Sequence, residues 1–108
     1  MIDVRDAELI SAIEREAQAA NIKAGACVLI GAVDSFVVST MPTNDPTDDL
    51  VSEYRIPAEL HGTGELIDGK AHIHATLAVQ GDRAIAGHLH RAEVKTHFVR
   101  AYLFVPQS

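Results

Sequence analysis

The sequence predicts an α+β domain, with one N-terminal helix packed on a largely antiparallel sheet of about six or seven strands. Three observations lead there. Helical periodicity occurs once, near the start. The later apolar runs are short and mostly alternate with polar residues. Turn residues such as Asp68-Gly69 and Gln80-Gly81-Asp82 separate those runs at hairpin spacing. A chain of 108 residues can bury one core, so it is read as a single domain over 1–108.

In the first segment Leu9, Ile10, Ile13, Ala17 and Ala20 recur at helical spacing, with Glu8, Glu14, Arg15, Glu16 and Gln18 on the other side. Asp6 is the expected N-cap, because a carboxylate there accepts from the unpaired N–H groups of the first turn. Asn21 or Gly25, both tolerant of left-handed backbone, is the expected stop, giving a helix of about four turns.

Two β-rich runs, 24–33 and 35–41, flank Asp34. Residues 41–50, with two prolines and three aspartates, are expected to form a solvated loop. Residues 54–67 contain Pro57, Gly62 and Gly64 and read as a bent or bulged strand near a sheet edge. Asp68-Gly69 is a type I′ turn signal, since both central positions of that turn need positive φ. Strands over 71–79, 83–91 and 97–105 complete the meander.

The chemistry lies in two of these strands. Four of the six histidines fall in two His-x-His pairs, His72/His74 and His88/His90, on either side of one turn. In 71–79 the odd positions are Ala71, Ile73, Ala75, Leu77 and Val79; in 83–90 they include Ile85, Gly87 and Leu89. One face is therefore apolar and the other carries the histidines. A two-residue turn would set Ile73 and Leu77 opposite histidines and mix the faces. A three-residue connection, Gln80-Gly81-Asp82, pairs Val79 with Arg83, His74 with His88 and His72 with His90. All four imidazoles then share one face, within side-chain reach. Neutral imidazole is the commonest metal ligand, and Zn²⁺ takes three of them at about 2.0–2.1 Å while keeping a fourth position. His61 and His97 stand alone and read as surface or hydrogen-bonded packing residues rather than ligands.

Other chemistries fit less well. A cupin-type barrel also starts from His-x-His but wants a carboxylate a few residues on, and residues 75–79 supply none. Ser35 beside Asp34 lacks a nucleophile elbow, and Gly62-Thr63-Gly64 is too short for a phosphate-cradling loop. Glu59 and Glu65 bracket His61; with the intervening glycines they read first as a solvated hairpin edge, and they are further candidates as general bases to a metal-bound water. The net charge of -6 with no Lys/Arg cluster predicts no direct nucleic-acid binding. An acidic start, the lack of a membrane-length apolar run and a single cysteine, Cys27, in an apolar stretch predict a reducing, cytoplasmic setting without a membrane.

The order Gly-Ala-Val (31–33), Glu-Leu-x-Gly-x-Gly-Glu (59–65), His-x-His (72–74) and Gly-His-Leu (87–89) resembles the PPC (plants and prokaryotes conserved) domain, over nearly the whole chain. The resemblance implies an α+β fold assembled as a homotrimer, in some prokaryotic members with a metal at the histidine cluster. Its histidines fall on His72, His74 and His88; His90 lies outside the motif and is kept, with Glu59, His61 and Glu65, as an additional candidate. Ala86 stands where the family has a first glycine. The plant Gly-Arg-Phe-Glu-Ile-Leu segment appears only loosely, as Tyr54-Arg55 and Glu59-Leu60, and no AT-hook is present, so DNA binding is not carried over. The expectation is a homotrimeric interaction or ligand-sensing module with a divalent ion, Zn²⁺ foremost. The alternatives are a small Zn-type enzyme and a regulator associated with DNA through a partner. No catalytic residue is assigned.

Overall fold

The computed structural model describes residues 1–107. Two short strands, β1 (Ile2–Val4) and β2 (Ala7–Glu8), precede the helix α1 (Leu9–Ala19). The helix is capped by Glu8, not by Asp6. The Glu8 carboxylate accepts from the backbone N–H of Ile10 at 3.0 Å and of Ser11 at 2.9 Å. It also accepts from Ala92 N–H at 2.9 Å, so one side chain caps the helix and ties it to the sheet. Asp6 instead takes positive φ between β1 and β2. The helix spans 11 residues, about three turns, and ends at Ala20 as C-cap, with Asn21 left-handed just beyond. Leu9, Ala12, Ile13 and Ala17 are buried, while Ala20 is exposed.

Seven further strands follow: β3 (Gly25–Val33), β4 (Ser35–Thr40), β5 (Leu50–Tyr54), β6 (Ala58–Ile67), β7 (Lys70–Val79), β8 (Arg83–Val94) and β9 (Val99–Phe104). They form one nine-stranded sheet in the order β1-β9-β3-β6-β7-β8-β4-β5, with β2 also on β8. Every pairing is antiparallel. The expected six or seven strands are too few. The short β1, β2 and β5 carry too little alternation to stand out, and β5 starts at Leu50, the end of the expected loop.

The strand with Gly62 and Gly64 is neither bent nor at an edge. β6 pairs residue by residue with β3 on one side and β7 on the other. The glycines answer a close approach: a Cβ on Gly64 would lie 2.2 Å from the His72 carbonyl oxygen and 2.8 Å from Ile73 Cγ1. Ile73 is fully buried and fills the room that side chains at 62 and 64 would need. Pro57 falls just before the strand begins, where no ladder N–H is lost. The Asp68-Gly69 turn between β6 and β7 has φ values of 51° and 78°, as a type I′ turn requires.

One face of the sheet is covered and the other is open. Leu9 and Ile13 of α1 pack with Leu29, Phe36, Ile73, Leu77, Val94 and Val99, each fully buried aliphatic side chain contributing roughly 1.5–3 kcal/mol. Cys27 is buried in the same layer, which pushes its thiol pKa up. The molecule measures 41 × 36 × 18 Å, room for a sheet and one helix layer only. On the uncovered side Val28, Ile30, Tyr102 and Phe104 are 43%, 57%, 41% and 60% exposed. In the final segment Val99 and Ala101 are buried and Leu103 is half-buried. Val94 belongs to β8 and is buried, Phe98 precedes β9, and Val105 is exposed. At the β3–β4 corner Asp34 accepts from the N–H of Lys95 and Thr96 and from the Thr96 hydroxyl, which holds its carboxyl below the usual range.

Candidate metal centre

The β7–β8 hairpin sets the site. Gly81 and Asp82 adopt positive φ in the three-residue connection, Val79 pairs with Arg83, and His74 lies directly opposite His88. Ile73, Ala75, Leu77 and Leu89 point into the core. His72, His74 and His88 stand on the open face, the first two exposed and His88 half-buried. The ring centroids of His72 and His74 are 5.0 Å apart, those of His72 and His88 5.0 Å, and those of His74 and His88 5.8 Å. One nitrogen from each of the three lies within 4.8 Å of the others.

His90 does not pair with His72. The β7–β8 register ends at His74–His88, and β8 carries a bulge: Val37 of β4 pairs with Arg91, Val38 with Leu89. His90 is the extra residue. Its ring still packs beside His88, at 4.8 Å between centroids, but its Nε2 lies 2.8 Å from the Ser39 hydroxyl on β4. Three imidazoles converge, and the fourth leans away to the neighbouring strand.

Electrostatics favour the free lone pair of His88. His88 is held below the ordinary histidine pKa, first by desolvation and then by the neighbouring His90, His72 and His74; Asp49 pulls weakly the other way. Glu65 is opposite His72 across β6–β7, with an oxygen 3.6 Å from His72 Nδ1. That is beyond hydrogen-bond length, and it sets a carboxylate beside the Nδ1 edge of the His72 ring.

The remaining candidates separate. His61, on β6 opposite Thr76, does not join the cluster but lines a hollow with His74 and His88. Glu59 is opposite Ala78, near the other end of the strand, and His97 lies before β9. Ser39 and Asp49 escape the sequence reading. The alternation of 35–40 places Ser39 on the face opposite Phe36 and Val38. Only the non-local pairing of β4 with β8 shows that this face is the histidines' own.

The donor set suits a borderline divalent ion. Three uncharged nitrogens with no competing carboxylate among them match the three-imidazole pattern of zinc. Ligating nitrogens around one such ion sit roughly 3.3 Å apart, a separation that modest side-chain rotations of exposed imidazoles bring about.

The model of the Plants and Prokaryotes Conserved (PCC) domain matches residues 4–104. Among solved structures, one described as a metal-containing protein, from Archaeoglobus fulgidus, is 28% identical with a TM-score of 0.77, the alignment covering 98% of this chain and 78% of that one. A plant- and prokaryote-conserved protein of Pyrococcus horikoshii is 20% identical with a TM-score of 0.78, covering 98% and 77%. A protein of Ralstonia eutropha described as a putative DNA-binding protein is 20% identical with a TM-score of 0.82, covering 98% and 76%. No curated protein matches. The match to the domain model takes in every strand from β2 to β9 together with both histidine pairs. The chain belongs to the Plants and Prokaryotes Conserved domain family.

Proposed function

We propose that this chain binds one divalent ion, of Zn²⁺ type, through His72, His74 and His88, and works as a homotrimeric ligand-sensing or interaction module. The observation that carries the reading is the convergence of three imidazole nitrogens within 4.8 Å on one open sheet face. The Archaeoglobus relative described as metal-containing supports it. Bound there, the ion supplies a Lewis acid with a coordination position facing solvent. The chain's own contribution is orientation: β7 and β8 fix the three rings, and Glu65 stands beside His72.

The open apolar side around Ile30 and Phe104 supports self-association, and the family resemblance selects three copies. Among the described residues no helix is long and apolar enough to cross a membrane. Direct contact with nucleic acid is left out of the reading, because a net charge of -6 without a basic cluster opposes a phosphate backbone. A catalytic reading draws on Glu65, a carboxylate beside His72 and a candidate proton acceptor. Calorimetric titration of Zn²⁺ into metal-free protein tests the proposal. Uptake by the wild type and its loss in His88→Ala are expected, and equal uptake by both would contradict the assignment.

A further inference from the structure

A hollow of about 810 Å³ opens beside the histidines, between the sheet and the 41–49 segment. We propose that it receives a small organic carboxylate, whose oxygens meet the ion on the side left free by His74 and His88. The inference rests on the metal reading above.

Position comes first. His74 and His88 line the hollow and His72 does not, so it reaches the cluster from one side only. Its floor is the open face of β6 to β8, where Thr63, Thr76 and Ala86 leave depth that longer side chains would fill. Met41 and Pro46 form an apolar wall opposite. The volume is in the range of small-molecule sites.

Charge comes next. Three neutral imidazoles leave a divalent ion uncompensated, and the one carboxylate lining the hollow is Asp49, which belongs to the 41–49 side and not to the ligand set. An anionic ligand would supply the missing negative charge. No Lys or Arg is among the lining residues described. A polyphosphate would want several cationic or forked donors, whereas a single carboxylate is satisfied by one ion and a few neutral donors. Thr63, Thr76 and His61 can supply those donors. The Ser39 hydroxyl is already engaged by His90. The Met41–Pro46 wall favours a carboxylate with an apolar body.

Benzoate is a suitable probe and benzamide its neutral isostere, both titrated by ligand-observed NMR against zinc-loaded and metal-free protein. Benzoate is expected to bind the zinc-loaded protein at least about tenfold more tightly than benzamide does, and than benzoate binds metal-free protein. Ala86→Leu narrows the floor while leaving all three histidines in place, and should abolish benzoate binding while zinc uptake persists. Zinc uptake without benzoate binding overturns this inference alone. So does equal binding of benzoate and benzamide, or benzoate binding that survives Ala86→Leu. Failure to take up zinc overturns both this inference and the metal reading.

Discussion

His74 and His88 face each other directly across the β7–β8 pair, with ring centroids 5.8 Å apart. The proposed zinc site, built of imidazoles, should respond to pH. Affinity should fall as pH drops through the imidazole range, about 6 to 7, because protonation removes the ligating lone pair. His88, held low by desolvation, keeps its lone pair to lower pH than an ordinary histidine. The same shift acts on folding. With the folded-state value depressed, the metal-free protein has His88's contribution in full above the unfolded value of about 6.5 and loses it as pH falls through the folded one. Zinc titrations and urea unfolding between about pH 5 and 8 check both signs.

Since His90 binds Ser39 and stands outside the ligand set, His90→Ala should keep zinc uptake. Ser39→Ala should keep it too, while costing about 1 kcal/mol of stability for the lost hydrogen bond. Calorimetry and urea melts of the two variants separate these readouts. Loss of zinc from His90→Ala would place His90 among the ligands.

Gly64→Ala puts a methyl where the His72 carbonyl and Ile73 already stand. Overpacking between two paired strands should cost about 1–3 kcal/mol, and the displaced β7 backbone should weaken zinc binding with it. Gly69→Ala meets open space but keeps a φ of 78°, so its cost, roughly 1–2 kcal/mol, is backbone strain in the turn, and zinc binding should stay unchanged. Denaturant unfolding of both variants, with zinc titration alongside, gives the comparison.

Much of this arrangement was legible in the sequence. Leu9, Ile13 and Ala17 announce the helix face, and the parity of the Gln80–Asp82 connection sets His74 opposite His88. What escaped depends on contacts distant in the chain. Glu8 takes over the cap because it can also reach Ala92 N–H across the fold. Gly62 and Gly64 look like breakers until Ile73 is seen packed over them. His90 leaves the cluster because β8 bulges where it pairs with β4, far away in sequence, and Ser39 of β4 meets its ring.

Assembly is testable through the uncovered face. Light scattering coupled to size exclusion should give the mass of three chains for the wild type. Tyr102 and Phe104 lie on the open side and are exposed in the single chain, so a Tyr102→Glu/Phe104→Glu variant should run as a folded monomer. A wild type that is monomeric at working concentration would contradict association through this face, and a dimer would contradict the threefold arrangement.

Whether His72, His74 and His88 hold a metal ion is decided by elemental analysis of protein purified without an affinity tag. After incubation with Zn²⁺ and removal of the excess, the wild type should retain about one zinc per chain. His74→Ala should retain almost none while unfolding within about 0.5 kcal/mol of the wild type, since the side chain is exposed. A wild type with no bound metal and none taken up would contradict the account.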